Sequence, residues 1–288
     1  MLENEFKKLQ ILLKINVDEF EYKLILHYLE SLKRIRILLS ESFRAAGIDG
    51  PIKLGELNNH FAEMNKYDRL IKLERNIANE IRDLSGLTIK EINSHLVNSY
   101  GLSYSSTFEA INNGLNISIQ FQKIPRAVVM ESIKNPYDRV GWNWRTEGHH
   151  IESIDFVKSE ITNGLIEGKG YLQTAANIKD KVNDLINNVA RIVRTESHRV
   201  QVLGRNIALD KSIKSAKSLG IELEKVLISI IDNKTREQSR IMNGQVADEN
   251  GLFTYPNGVK GLPGNTGVAK YDINDRETVI VRIKERSK

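Results

Sequence analysis

Cysteine is missing from all 288 residues, which removes disulfides, thiolate metal sites and cysteine nucleophiles from consideration. Only six histidines are present, so imidazole chemistry has few places to reside. No uninterrupted apolar run approaches the length of about 18 residues that a membrane span needs. The first residues, MLENEFKKLQILLKINVDEF, mix charges with leucines and lack the apolar core of a secretory signal. The expectation is a soluble chain with no membrane partner. Proline is scarce, at five residues, so long helices can run unbroken.

What is present is globular in composition, with 40% hydrophobic and 27% charged residues. The net charge of +5 is mildly basic. Such a balance is compatible with nucleic-acid contact but is shared by many other proteins.

Leu2, Phe6, Leu9, Leu13, Val17, Phe20, Leu24, Leu32, Ile35 and Leu39 recur at helical spacing. They predict one long amphipathic helix up to the turn at Ala46 to Leu54. Its apolar stripe packs either along the rest of the chain or against another subunit. Leu70, Leu73, Ile77, Ile81 and Leu84 mark a further helix expected to stop near Ser85-Gly86. Thr88-Ile89-Lys90-Glu91 and Ser106-Thr107-Phe108-Glu109 read as capping boxes opening two more. On this reading the first half is a series of helices joined by short turns.

Asn135-Pro136-Tyr137-Asp138 breaks the pattern. Beyond it lie both tryptophans, Trp142 and Trp144, expected on one face of a short extended segment. They serve there as packing groups or as an aromatic docking surface. Helical periodicity returns from Ile151 to Leu165 and from Thr174 across Arg194 to Leu203, with Gly220 as the stop. Val226 to Ile231 and Thr278 to Ile283 are β-prone, and a short helix is expected from Thr235. The Gly- and Pro-rich stretch from Gln245 to Gly267 reads as loops with short strands.

Three constellations bear on chemistry. Gly258 to Gly267 is glycine-rich but lacks the Lys-Ser/Thr pair of a phosphate loop, and reads as a surface loop. His149 and His150 point about 100° apart on a helix and read as solvated. Glu196, His198 and Asp232 form either an acid–base site or a polar network joining a helix to the β unit.

The order of residues in the second half resembles the Mu F-like head-morphogenesis family of phage minor head proteins. The matching residues begin with Ala190 and Arg194-Thr195-Glu196 on a helix, followed by Asp232 after a strand. Thr235-Arg236, Asn243-Gly244-Gln245, Phe253, Pro256-Asn257-Gly258, Pro263 and Asn274-Asp275-Arg276-Glu277 come next. Gly164 to Gly168 fits the family's lead-in, and the match covers roughly residues 150 to 284. Asp275 and Glu277 stand where the family has cysteines, and the histidine after the Thr-Arg pair is absent.

The resemblance implies a mainly α fold, with an elongated helical N-terminal region over 1–148. A small α+β C-terminal head-morphogenesis domain would follow over 149–288, its β-containing unit starting near 222. It implies a structural minor capsid protein, not an enzyme, with no cofactor and no metal. The phage portal protein, capsid or scaffold proteins and double-stranded DNA are its expected partners. The expected location is the virion interior or portal vertex, and the host cytoplasm during assembly. Lys33, Arg34 and Arg36 are the candidate DNA contacts, and Trp142 and Trp144 the candidate docking residues. The alternative is a transferase or nuclease built on the C-terminal unit.

Overall fold

The computed structural model describes residues 1–45, 60–121, 123–134, 141–166 and 171–284. The expected turn at 46–54, the break at 135–138 and the end of the glycine lead-in at 167–168 lie outside them. Five helices come first: α1 (Leu2–Ala45), α2 (His60–Leu115), α3 (Arg126–Lys134), α4 (Trp142–Ile166) and α5 (Tyr171–Ser218). The small unit β1 (Leu223–Ser229), α6 (Glu237–Met242), β2 (Phe253–Thr254), β3 (Lys260–Gly261), α7 (Ala269–Asp272) and β4 (Glu277–Ile283) follows. The fold is mainly helical with a small strand region near its C-terminal end, as the resemblance implied.

The series of short helices expected in the first half is instead the single helix α2. Gly86 and Gly101 lie inside it at exposed positions. Thr88, from the first expected cap, and Thr107, from the second, are buried within its packed stripe. A helical glycine costs only about 1 kcal/mol relative to alanine. Burying one large apolar side chain contributes about 1.5–3 kcal/mol, and α2 buries Leu73, Ile77, Ile81, Leu84, Ile92, Leu96, Tyr104, Phe108 and Ile111. Packing outweighs the local stop signals.

The residues form two compact units, each assembled from separated stretches. The first comprises Met1–Phe20, Ile92–Trp142 and Val193–Lys288. The second comprises Glu21–Glu91 and Asn143–Ile192. Helices α1, α2 and α5 each contribute residues to both.

In the first unit, Phe6, Leu9 and Leu13 of α1 join Tyr104, Phe108 and Ile111 of α2 and Val202, Leu209 and Ala216 of α5. Leu227, Val279 and Val281 add one face of a two-stranded antiparallel sheet, in which Leu227 pairs with Val279. Phe253, Tyr255 and Tyr271 complete this core. The helices approach closely where Gly204 of α5 meets α2, since a Cβ there would lie 2.5 Å from the Tyr100 carbonyl oxygen. Gly220 ends α5 in the left-handed conformation, φ 78°. Its N–H donates to Lys217 O and that of Ile221 to Ala216 O, the paired bonds that close a helix end.

The second unit has its own core of Leu32, Ile35 and Leu39 from α1, Leu73, Ile77 and Ile81 from α2, Ile154 and Ile161 from α4, and Ile178 and Val182 from α5. The α1 stripe read from the sequence is therefore buried within the chain. A second set on α1, including Tyr22, Leu26, Leu29 and Ile37, is exposed.

Trp142 and Trp144 are helical, correcting the expected extended segment. Residues two apart on a helix point about 200° apart, so Trp142 is buried and Trp144 is 69% exposed. Among the described residues no helix is long and apolar enough to cross a membrane.

Candidate functional site

Five of the residues singled out by resemblance meet at one place in the first unit. Arg194 of α5, Thr235 and Arg236 before α6, and Asn274 and Arg276 before β4 line a recess of about 490 Å³. Ser229, Ile230, Lys234, Ser239, Asp275 and Glu277 complete the wall.

The turn after β1 is organised around Asp232. Its Oδ1 accepts from Lys234 N at 2.8 Å, its own N–H donates to Thr235 Oγ1 at 2.7 Å, and Arg276 donates to both carboxylate oxygens. Hydrogen bonding from Arg276 holds the Asp232 carboxyl well below the usual carboxylate range, and Asp232 in turn raises Arg276. Arg236 reaches the opposite side. It donates to the carbonyls of Lys270 (2.7 Å), Tyr271 (3.1 Å) and Ile273 (3.3 Å), satisfying acceptors that the short α7 leaves open.

Gly244 takes φ 85° after α6 and donates to Leu227 O at 2.8 Å. Gln245 imitates a strand with its side chain, accepting from Thr254 N at 2.9 Å and donating to Thr254 O at 3.1 Å. Asn274 adopts φ 52°, a conformation that asparagine tolerates better than most residues. These residues tie β1, α6, β2 and β4 together.

The floor is acidic and buried. Asp275 accepts from Glu277 N at 3.1 Å and pairs with His198 at 3.3 Å and Arg236 at 3.4 Å. Glu277 accepts from Tyr255 OH at 3.0 Å, and burial followed by the Asp275 charge pushes its carboxyl up. Burial also raises Tyr255 and Asp272, and Asp272 accepts from the Thr266 and Gly267 amides at 2.8 Å each. Asp275 and Glu277 thus sit inside a hydrogen-bonded network. Among the described residues no group of three or more His, Asp or Glu side chains is placed to hold a metal.

Glu196, His198 and Asp232 do not converge. Glu196 is buried and accepts from Arg199 Nε at 2.7 Å; His198 meets Asp275; Asp232 meets Arg276. None of the three lines the recess. Arg199 also donates to the carbonyls of Ser132 and Ile133 at the end of α3. Thr195 is buried beside Glu196 on α5.

Two sequence expectations are corrected here. The glycine-rich loop is not wholly on the surface: Gly261 to Gly264 are buried. A Cβ at Gly264 would meet His198 Cδ2 at 3.0 Å, and Asn265 Nδ2 donates to Arg199 O at 3.2 Å. His150 is not solvated either. Its Nδ1–H donates to Thr146 O at 2.7 Å, leaving Nε2 to accept from Tyr28 OH at 2.9 Å.

Sequence reasoning passed over Arg199 and His95. A Glu-x-x-Arg spacing on a helix was the available signal for the first. His95 carried none, because its partners Ser197 (2.9 Å) and Ser99 (3.2 Å) and the stacked Phe20 ring come together only through packing.

The three candidate DNA contacts lie in the second unit and differ in state. Arg34 donates to Glu80 at 2.7 Å. Lys33 and Arg36 are exposed and line another recess with Lys179.

The class defined so far is a mainly helical chain whose motif residues act as internal ties. In sequence it is similar to the minor head protein GP7 of Bacillus phage SPP1, 27% identical over 273 residues, covering 92% of this chain and 82% of that one. It is also similar to an NAD(+)–arginine ADP-ribosyltransferase, EFV, of Enterococcus faecalis, 26% identical over 278 residues. That match covers 95% of this chain but 53% of the enzyme, so the chain spans about half of the enzyme's length. No family model matches the sequence, and no solved structure matches it. The similarity supports a phage head protein and does not reach the Mu F-like family specifically.

Proposed function

We propose that the chain is a phage minor head protein that acts by binding during capsid assembly. The observation that carries this reading is the similarity to a minor head protein over 92% of the chain. The use of Asp232, Arg236, Gln245 and Arg276 as ties between elements agrees with it. On this reading the chain joins the procapsid, contacts the portal protein and neighbouring capsid or scaffold proteins, and resides in the virion. Double-stranded DNA is a further partner, met by exposed basic residues.

The transferase similarity raises an enzymatic reading. Two facts weigh against it: the match leaves almost half of that enzyme outside, and the same stretch of this chain matches a head protein. A shared region with the assembly role accounts for both.

The test is twofold. The full chain is expected in purified virions and is expected to co-purify with the portal protein of its phage. Incubation with labelled NAD⁺ and an arginine-rich acceptor protein is expected to give no transfer. Absence from both virions and portal complexes, with label transferred, would reverse the assignment. Deleting α1 is not a usable control, since Phe6, Leu9, Leu13, Leu32, Ile35 and Leu39 belong to the cores.

A further inference from the structure

α1 carries two apolar stripes, and among the described residues only one is packed into a core. In the second unit the other consists of Tyr22 (65% exposed), Leu26 (41%), Leu29 (47%) and Ile37 (48%). Their spacing of four, three and eight residues keeps them on one face. At 1.5 Å per residue the row is about 22 Å long. Isolated surface leucines need no explanation, whereas a row of this length along one face marks an interaction surface.

Beside the row, Leu29, Leu32, Lys33, Arg36 and Ile37 of α1 and Lys179 of α5 line a recess of about 510 Å³. Its three charges are all positive. None of them forms an ion pair with a described residue, in contrast to neighbouring Arg34, which is held by Glu80. Glu30 and Asp180, on the same helical turns, lie outside the lining.

We propose that this recess and the row leading to it bind an acidic amphipathic helix of a partner protein, a proposal that rests on the assembly reading above. A recess lined by apolar and basic side chains together fits a helix that carries leucine-type anchors at helical spacing and carboxylates beside them. About 22 Å accommodates about four helical turns. DNA fits less well: its phosphates would meet Lys33, Arg36 and Lys179, but Leu26, Leu29 and Ile37 would face a charged backbone with nothing apolar to cover them.

The test uses the full chain and a labelled synthetic peptide of about 18 residues. The peptide has leucines at helical spacing and glutamates on its flanks. A second peptide with lysines in place of the glutamates, and a short DNA duplex, serve as comparisons. Binding is read by fluorescence anisotropy. The acidic peptide is expected to bind, and the lysine peptide is not. Lys33→Glu with Arg36→Glu, and separately Leu29→Glu, are expected to weaken binding at least about tenfold. Added salt should weaken it further. All three substituted positions are exposed, and unchanged thermal melting of the variants checks their folding.

Equal binding of the acidic peptide to the variants, or no binding at all, overturns the proposal. So does duplex binding that is lost on charge reversal while the peptide stays inert. Detection of the chain in purified heads separates the two readings. Peptide binding lost in the variants, with the wild-type chain absent from heads, refutes the assembly role and retains the groove.

Discussion

Both terminal nitrogens of Arg276 reach Asp232, Nη1 to Oδ2 and Nη2 to Oδ1, each at 2.8 Å across 44 residues of sequence. The geometry is the two-pronged match of a guanidinium to a carboxylate. It locks the turn after β1 to the residue before β4, just outside the hydrogen-bonded register of the two strands. Asp232→Asn should therefore speed amide exchange at Lys234 and Thr235 while leaving far-ultraviolet circular dichroism unchanged. Exchange as slow as in the wild type would mean that the strands alone order the turn.

Gly204 and Gly101 are both helical, yet alanine should act oppositely at the two positions. A Cβ at Gly204 would press on the Tyr100 carbonyl at 2.5 Å, whereas one at Gly101 meets nothing within 4 Å. Gly204→Ala is expected to destabilise the protein by about 1–3 kcal/mol through overpacking. Gly101→Ala should stabilise it by up to about 1 kcal/mol. Urea denaturation of the two variants against the wild type decides the matter, and equal shifts would contradict the close approach of α2 and α5.

Glu196 and Arg199 form a buried pair at 2.7 Å. Glu196→Ala leaves a buried guanidinium that still donates to the Ser132 and Ile133 carbonyls but has lost its carboxylate. A loss of about 3–5 kcal/mol is expected. Replacing both residues by methionine removes the uncompensated charge, so the double variant should unfold at a higher denaturant concentration than the single one. A double variant no better than Glu196→Ala would show that the carboxylate has another role.

His95 and His150 are both pushed down to about 4 by burial. His95 faces Ser99, Ser197 and the Phe20 ring, and His150 faces Tyr28 and its neighbour His149. In the unfolded chain each protonates near 6.5. As pH falls through 6.5 the unfolded state takes up protons that the fold refuses, and the associated stability declines until pH 4. Each histidine should contribute a loss of about 2 kcal/mol between pH 7 and pH 5. Glu277, raised by burial, acts in the opposite sense. Denaturation at the two pH values with His95→Asn and His150→Gln isolates the histidines: each variant should show a flatter dependence, and a slope equal to that of the wild type would count against buried neutral rings.

The strands β1 and β4, the stop at Gly220 and the buried stripe of α1 were legible because they are local. β-branched runs, glycines with positive φ and helical apolar spacing act over a few residues, independently of what lies elsewhere. Amino-acid order also carried the resemblance to phage head proteins, which the similarity to a minor head protein supports at that level. Tertiary structure alone decided where local signals compete with packing. Gly86 and the Thr88 cap failed to stop α2, because one stripe from Leu73 to Ile111 gains more from burial than a cap supplies. Likewise, Glu196, His198 and Asp232 have the chemistry of a site, but the fold gives each a separate partner. No spacing in the sequence encodes that separation, since it depends on contacts between residues three in one case, and 44 and 77 in the others, positions apart.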